Sequence, residues 1–236
     1  MIAIRPRLLD LYCGGGGAGM GYHRAGFEVY GVDQRPQPRY PFQFWQDDAL
    51  AYLRRLIERA EADGEPIPFE AIHASPPCQA YSVLNTRWKR EYPDLVEPTR
   101  ELLKASGLPY VMENVPGSPL QAMLMMCGGG TLPVVRCQDG KHRQVRRHRY
   151  FESNVPILGH PCHHIYPSLG VYGKGRWSND DSTHRGGYQG SKAENAEGME
   201  IDWMSHDELS QAIPPAYTEY IGNWLMAHVP APLQEV

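Results

Sequence analysis

Two hydrophobic periods alternate along the first half of the chain. Residues 7–12 form a short apolar run that ends in glycines and predicts a strand, and 18–25, just beyond, predict a helix. Residues 27–32 predict a second strand, closed by Asp33. Within 48–62, Leu50, Leu53, Leu56 and Ile57 recur at helical spacing behind an acidic N-cap region. Residues 70–74 predict a third strand that runs into Ser75-Pro76-Pro77. A helix over 95–106, stopped by Gly107, leads to a fourth strand at 109–112, followed by Glu113-Asn114. Strand and helix in alternation predict an α/β fold with a mostly parallel sheet covered by helices on both faces. Beyond residue 127 the pattern weakens. A strand is expected at 149–152 and a last helix at 217–228, after Pro214-Pro215. The stretch 172–198 has almost no aliphatic residues and reads as a long loop.

Composition narrows the class. A chain of 236 residues suits one domain or one domain with a small appendage, and it is long enough to bury a core without disulfides. No apolar run reaches the roughly 18 residues of a membrane span, and the N-terminus lacks a signal-peptide layout, so membrane insertion and secretion are not expected. The five cysteines, at 13, 78, 127, 137 and 162, include no C-x-x-C pair, which fits reduced thiols in a cytoplasm. Net charge is −4, so nothing global points to nucleic acid. The segment 136–149 departs from that balance, with five arginines and one lysine against Asp139 alone, a density that suits phosphates and base edges.

Four motifs carry chemistry. The turn Asp10-Leu-Tyr12-Cys-Gly14-Gly-Gly16-Gly17-Ala-Gly-Met-Gly21 joins the first strand to the first helix. Its glycines let the backbone approach a ligand, while Asp33, at the end of the next strand, can take both hydroxyls of a ribose. Gly14, Gly16 and Gly19 also satisfy G-x-G-x-x-G, so at this level a nicotinamide or flavin is as admissible as any adenosine-containing cofactor. Ser75-Pro76-Pro77-Cys78-Gln79 presents a thiol at the carboxyl end of the third strand, where open α/β sheets bind ligands. Glu113-Asn114-Val115, one helix and one strand later, places a carboxyl at the same crevice, able to give a proton to a substrate nitrogen. The run Arg146-Arg147-His148-Arg149-Tyr-Phe151 alternates into a strand, so Arg147 and Arg149 are expected to share a face.

In order and spacing these motifs resemble the DNA (cytosine-5) methyltransferases, over most of 7–155 and again over 203–225. The resemblance implies a Rossmann-like S-adenosylmethionine-dependent methyltransferase fold with a small loop-rich insertion. The catalytic domain would span 1–155, a reduced recognition region 156–202, and a returning segment 203–236. It implies that S-adenosylmethionine is bound by Asp10, Tyr12, Gly14, Gly16, Gly17, Asp33, Asp48 and Pro76, with Asn223 of Gly222-Asn223 returning to that pocket. Tyr12 stands where the family has Phe. Cys78 would be the nucleophile, Glu113 the acid, and Arg147 and Arg149 would lie beside the target base, Val145 replacing the usual Gln. Gln79, Ser82, Arg87, Lys89, Arg90 and Arg146 are the expected nucleic-acid contacts, and double-stranded DNA the expected partner of a monomer. RNA-acting relatives share the motifs, so tRNA is the alternative substrate, and a catalytically silent DNA-binding relative the alternative class.

The interval 151–203 is too short for the family's target-recognition domain, which implies short or relaxed sequence specificity, as in a stand-alone or phage-type restriction-modification enzyme. Cys127, Cys137, His142, Cys162, His163 and His164 contain enough donors for a zinc ion. Their spacing matches no standard finger, and the expectation is core cysteines and loop histidines without a metal.

Overall fold

A computed structural model describes residues 4–81, 92–121, 123–172 and 188–229. Ser82, Arg87, Lys89 and Arg90 lie outside the described residues. The chain runs through β1 (Arg7–Leu11), α1 (Gly17–Arg24), β2 (Glu28–Asp33), β3 (Gln43–Gln46), α2 (Ala49–Asp63), β4 (Ala71–Ala74), α3 (Val96–Ala105) and β5 (Tyr110–Asn114). Then come β6 (Leu124–Met126), the hairpin of β7 (Val134–Arg136) and β8 (His142–Gln144), and β9 (Arg149–Ser153). The two-residue strands β10 (Leu169–Gly170) and β11 (Tyr188–Gln189) precede α4 (Lys192–Met199), α5 (His206–Gln211) and α6 (Pro215–Met226).

Seven strands make the central sheet, in the order β3-β2-β1-β4-β5-β9-β6. The pairings from β3 to β5 are parallel, and β9 is antiparallel to both β5 and β6. Strand period sorts the core. Leu8, Val111 and Phe151 point toward α1 and α6, where they meet Tyr22, Tyr217, Ile221 and Leu225. Leu9, Leu11, Ile72 and Met112 point the other way, onto Leu53, Ile57 and Leu103 of α2 and α3. Helices α1 and α6 pack very closely: a Cβ at Gly21 would stand 2.1 Å from the Pro215 carbonyl oxygen, so only glycine fits. Among the described residues no helix is long and apolar enough to cross a membrane.

The second half holds more order than its composition predicts. Helix α4 occupies the end of the stretch expected to be loop, and α5 follows it. Each opens with a reciprocal capping box, Ser191 with Glu194 and Ser205 with Glu208. Leu169, Val171, Met199 and Ile201 are buried in the same core as β9 and α6. The edge strand β3, Gln-Phe-Trp-Gln, has three exposed positions of four and so no alternation to betray it.

Arg100 on α3 is fully buried. Its Nε donates to Glu152 Oε1 and its Nη2 to Glu152 Oε2, both at 2.8 Å, while Nη2 also donates to the Pro119 carbonyl at 2.7 Å. Glu152 Oε2 accepts in addition from the Gln121 amide at 2.7 Å. Glu152→Ala strips the buried guanidinium of its two-pronged partner and leaves it only Glu97, itself exposed, and the Pro119 carbonyl. It is expected to lower unfolding stability by about 3–5 kcal/mol, read as a shift in the urea midpoint.

Candidate active site

The glycine turn after β1 has an open side and a closed side. Gly14 (φ 49°) and Gly16 (φ 85°) are left-handed, and Gly16 caps α1. A Cβ on Gly14 would meet nothing within 4 Å, so the space over that residue is free, while one on Gly16 would stand 2.7 Å from Pro41. Gly17 is pressed against the Ile213 carbonyl, and Trp203 Nε1 donates to the Gly15 carbonyl at 2.9 Å, so the C-terminal segment seals the back of the turn. At the front, Asp33 Oδ2 accepts from the Gly14 amide at 3.0 Å and Oδ1 from the Arg35 amide at 2.9 Å. A carboxylate has acceptor capacity beyond those two bonds. Asp48 caps α2 through Oδ1 and the Ala51 amide. A glycine floor with free space above it and two carboxylates at its rim suits the sugar and base of a nucleoside.

Beneath the turn lies Asp10, fully buried. Its Oδ2 accepts from the Tyr40 hydroxyl at 3.1 Å, while Oδ1 has no hydrogen-bond partner among the described residues. Burial pushes this carboxyl up to about 7 against the Tyr40 bond that lowers it. Tyr12 turns its hydroxyl to Thr99 Oγ1 at 3.0 Å.

Cys78 follows β4 and Glu113 lies near the end of β5, close enough for the Glu113 charge to act on the thiol. Asn114 Nδ2 donates to the Pro76 carbonyl at 2.9 Å, which ties the proline loop carrying Cys78 to the strand end carrying Glu113. Burial raises the Cys78 thiol above its usual range and the Glu113 charge raises it further, while Arg149 and Arg147 pull it down. Burial also raises Glu113, against Arg149, Arg147 and a hydrogen bond from Ser75. Arg149 Nε stands 2.9 Å from Glu113 Oε1. Gln79 is exposed next to Cys78.

The basic segment is not the single alternating face expected of it. Strand β9 begins at Arg149, and Arg147 precedes it with φ 28°, a left-handed conformation rare for a side-chain-bearing residue. Arg147 Nη2 donates to the Ser210 carbonyl at 2.8 Å, and burial pulls its pKa down to about 9. Tyr217 of α6 donates to the Arg147 carbonyl at 2.9 Å, holding the kink. Arg143 is spent internally, on Asp139 at 2.6 and 2.7 Å and over the Tyr188 ring at 3.9 Å. Arg146 is half-buried, with Nη2 3.3 Å from the Tyr166 carbonyl.

Asn223 is not brought to the glycine turn. It is exposed on α6, and a Cβ on its neighbour Gly222 would touch Ala25 and Tyr22, toward the C-terminal end of α1. The segment that reaches the turn is Trp203–Met204 with Ala212–Ile213, because α6 starts beside the turn and runs away from it. His73 on β4 went unnoticed in the sequence. It is fully buried, accepts or donates at both ring nitrogens, to Tyr22 at 3.0 Å and Ser75 at 2.8 Å, and burial lowers its pKa to about 3. A lone polar residue within the apolar run Ala71–Ala74 was the available signal.

Comparison with known proteins bears on the fold and on about half of the sequence. No protein-family model matches the chain. The chain is 29% identical over 127 residues to the Type II methyltransferase M.AquIA of Picosynechococcus sp.. That match covers 48% of this chain and 50% of the relative, so the likeness spans about half of the curated protein's length. Two solved structures share the fold. One, encoded within an E. coli prophage and assigned as a DNA modification methyltransferase, has a TM-score of 0.58 at 15% identity, over 94% of this chain and 99% of that one. The other, the Dnmt2 methyltransferase of S. pombe, has a TM-score of 0.52 at 12% identity, over 95% and 99%.

The state of Asp10 has a measurable consequence. Its folded pKa lies above its unfolded value of 3.8, so the folded protein holds the extra proton between the two. Stability therefore falls as pH rises through that window and levels off above it. Asp10→Asn removes the titration. The loss of stability between about pH 5 and pH 8 is expected to shrink by about 2–3 kcal/mol, measured by denaturant titration of the ligand-free protein at each pH.

Proposed function

We propose that this chain transfers a methyl group from S-adenosylmethionine to C5 of cytosine in DNA, through a covalent bond between Cys78 and C6 of the base. The observation that carries the reading is the Glu113–Arg149 ion pair, 2.9 Å across, in the electrostatic field of the Cys78 thiol. The shared fold of the two methyltransferases and the partial likeness to the Type II enzyme support it.

S-adenosylmethionine, when bound, supplies an electrophilic methyl. Gly14 would admit it, Asp33 would take the ribose hydroxyls, and Asp48 would face the adenine amino group. The open space over Gly14 and the acceptor capacity left on Asp33 fit that group. The protein's own task is to make C5 a nucleophile. The Cys78 thiolate adds to C6, forming an S–C bond. Glu113, which burial keeps protonated to higher pH than a free carboxyl, gives its hydrogen bond or proton to N3 and so neutralises the negative charge that addition places on the ring. Once C5 carries the methyl, its proton goes to solvent, the C6–S bond breaks to release the thiolate, and N3 returns its proton to Glu113 as the ring is restored. Arg149 holds Glu113 in place and, with Arg147, offers positive charge beside the base. A cytosine in a duplex cannot reach Cys78 while stacked, so the base is flipped out. Gln79, exposed, and Arg146, half-buried, would contact the nucleic acid on this reading.

The test is incubation of the full chain with methyl-labelled S-adenosylmethionine and duplex DNA, followed by nucleoside mass spectrometry. Wild type is expected to yield 5-methylcytosine and Cys78→Ala none. Glu113→Gln is expected to lower kcat by about a hundredfold or more while cofactor binding persists. Methylation confined to tRNA would overturn the DNA assignment, and a product methylated at an exocyclic nitrogen would overturn the role of Cys78.

A further inference from the structure

Three distant stretches of chain converge on one point outside the reaction site. Cys127 follows β6, His148 precedes β9, and Cys162 and His164 come from the irregular segment between β9 and β10. The Cys127 and Cys162 sulfurs lie 3.1 and 3.2 Å from His164 Nε2, and Cys162 Sγ lies 3.4 Å from His148 Nε2. All four donor atoms fall within 4.8 Å of one another. With Zn–S bonds of about 2.3 Å and Zn–N bonds of about 2.0 Å, the edges of a tetrahedral Cys2His2 site run from about 3.3 to 3.8 Å. We infer that Cys127, His148, Cys162 and His164 bind a structural zinc ion.

The backbone around the donors is shaped for their convergence. Gly128-Gly129-Gly130 passes directly under the other two stretches. A Cβ on Gly129 would stand 1.8 Å from the His163 carbonyl oxygen, and one on Gly128 would stand 1.9 Å from that of Val145. Side chains at those positions would hold the ligand-bearing segments apart. The segment 153–168 has no fully buried side chain beyond the strand, and Leu158 and Ile165 stay 64% and 79% exposed. Val155 and Ile157 pack against the core, but from 158 to 167 no side chain is buried, and a four-ligand metal would hold that part of the loop. Two thiolates with two imidazoles in tetrahedral array select zinc over harder cations. Four protein ligands leave no open position, which makes the ion structural and not catalytic.

The donor set differs from the one the sequence offered. Cys137 is buried in the core, His142 is exposed on β8, and His163 turns its carbonyl to Gly129. His148 takes their place. It sits between Arg147 and Arg149, so the ion would fix the backbone from which both arginines reach the base site.

Metal content decides the matter without reference to activity. The full chain, purified under reducing conditions, supplied with zinc and dialysed against metal-free buffer, is expected to retain about one zinc per chain by atomic emission. Cobalt in its place is expected to give the visible bands of a tetrahedral thiolate site. Cys162→Ser and His164→Asn, both at exposed positions, are expected to lose the ion while keeping the far-ultraviolet dichroism of the fold. His163→Gln, between them in sequence but outside the donor set, is expected to keep it. A chelator is expected to lower the Tm of wild type and not of Cys162→Ser. Wild type without retained zinc, a Cys127–Cys162 disulfide under the same reducing conditions, or equal loss in His163→Gln would each overturn the assignment.

Discussion

The register of β9 against β5 is the constraint on which the candidate site depends. Glu113 lies opposite Phe151 and Met112 opposite Glu152, so the two faces of this strand pair carry different charges. Arg149 is the diagonal neighbour of Glu113 on one face, within reach of its carboxylate. On the other face Glu152 accepts both forks of buried Arg100. A slip of one residue would exchange the faces, unpair Arg100 and turn Arg149 away from Glu113. The Arg100–Glu152 pair on the side of α3 thus locks the Arg149–Glu113 pair on the side of α1 and α6. Neither is worth much as net stability, since burying charge costs about as much as pairing returns, but the penalty for breaking either is large.

The glycine-turn side rests on a different kind of constraint, closeness of backbone. The glycine turn is made from residues 10–21, yet its back wall comes from Trp203, Met204 and Ile213, nearly two hundred positions later. Helix α6 reaches that place because α1 presents glycines to it, and Thr218 closes the contact by donating to the Ala18 carbonyl at 2.8 Å. The same helix carries Tyr217, whose hydroxyl holds the Arg147 kink. The last helix therefore couples the two halves of the candidate site: it lies against α1, which follows the glycine turn, and it holds the kink at Arg147.

How much of this was readable in the sequence follows from where the information is local. Strands β1, β2, β4 and β5 and helices α1 to α3 appear within one or two residues of their expected positions, because each has a buried face at a regular period and a glycine or capping residue at its end. Cys78, Glu113 and Arg149 are singled out by motif, and the fold places Arg149 against Glu113 with Cys78 in reach of both charges. What failed was non-local or unpatterned. Strand β6 is three residues long, and β3 is an exposed edge. Helices α4 and α5 lack a strong apolar stripe, although the Ser-x-x-Glu boxes at 191–194 and 205–208 marked their starts. Gly222-Asn223 was misplaced because a dipeptide matches easily, while the contact that matters belongs to Ala212–Ile213. His148 was overlooked as a donor because it lies inside an arginine motif.

On the proposed reading, the charges at the base site work as one system. At rest the Cys78 thiol is held above its usual range by burial and by the Glu113 charge, so the nucleophile is stored as thiol and is protected from adventitious chemistry. Two arginines act in the opposite sense on both groups. If Glu113 is protonated, its charge no longer opposes the thiolate, and Arg149 and Arg147 are left to favour it. A cytosine that accepts a hydrogen bond from Glu113 through N3 requires that same protonated state. Correct placement of the base and formation of the nucleophile are thus favoured by one proton, and a base without an acceptor at N3 would engage neither. This gives the site a reason to keep an acid and a thiol in one field, with paired arginines setting the balance between them.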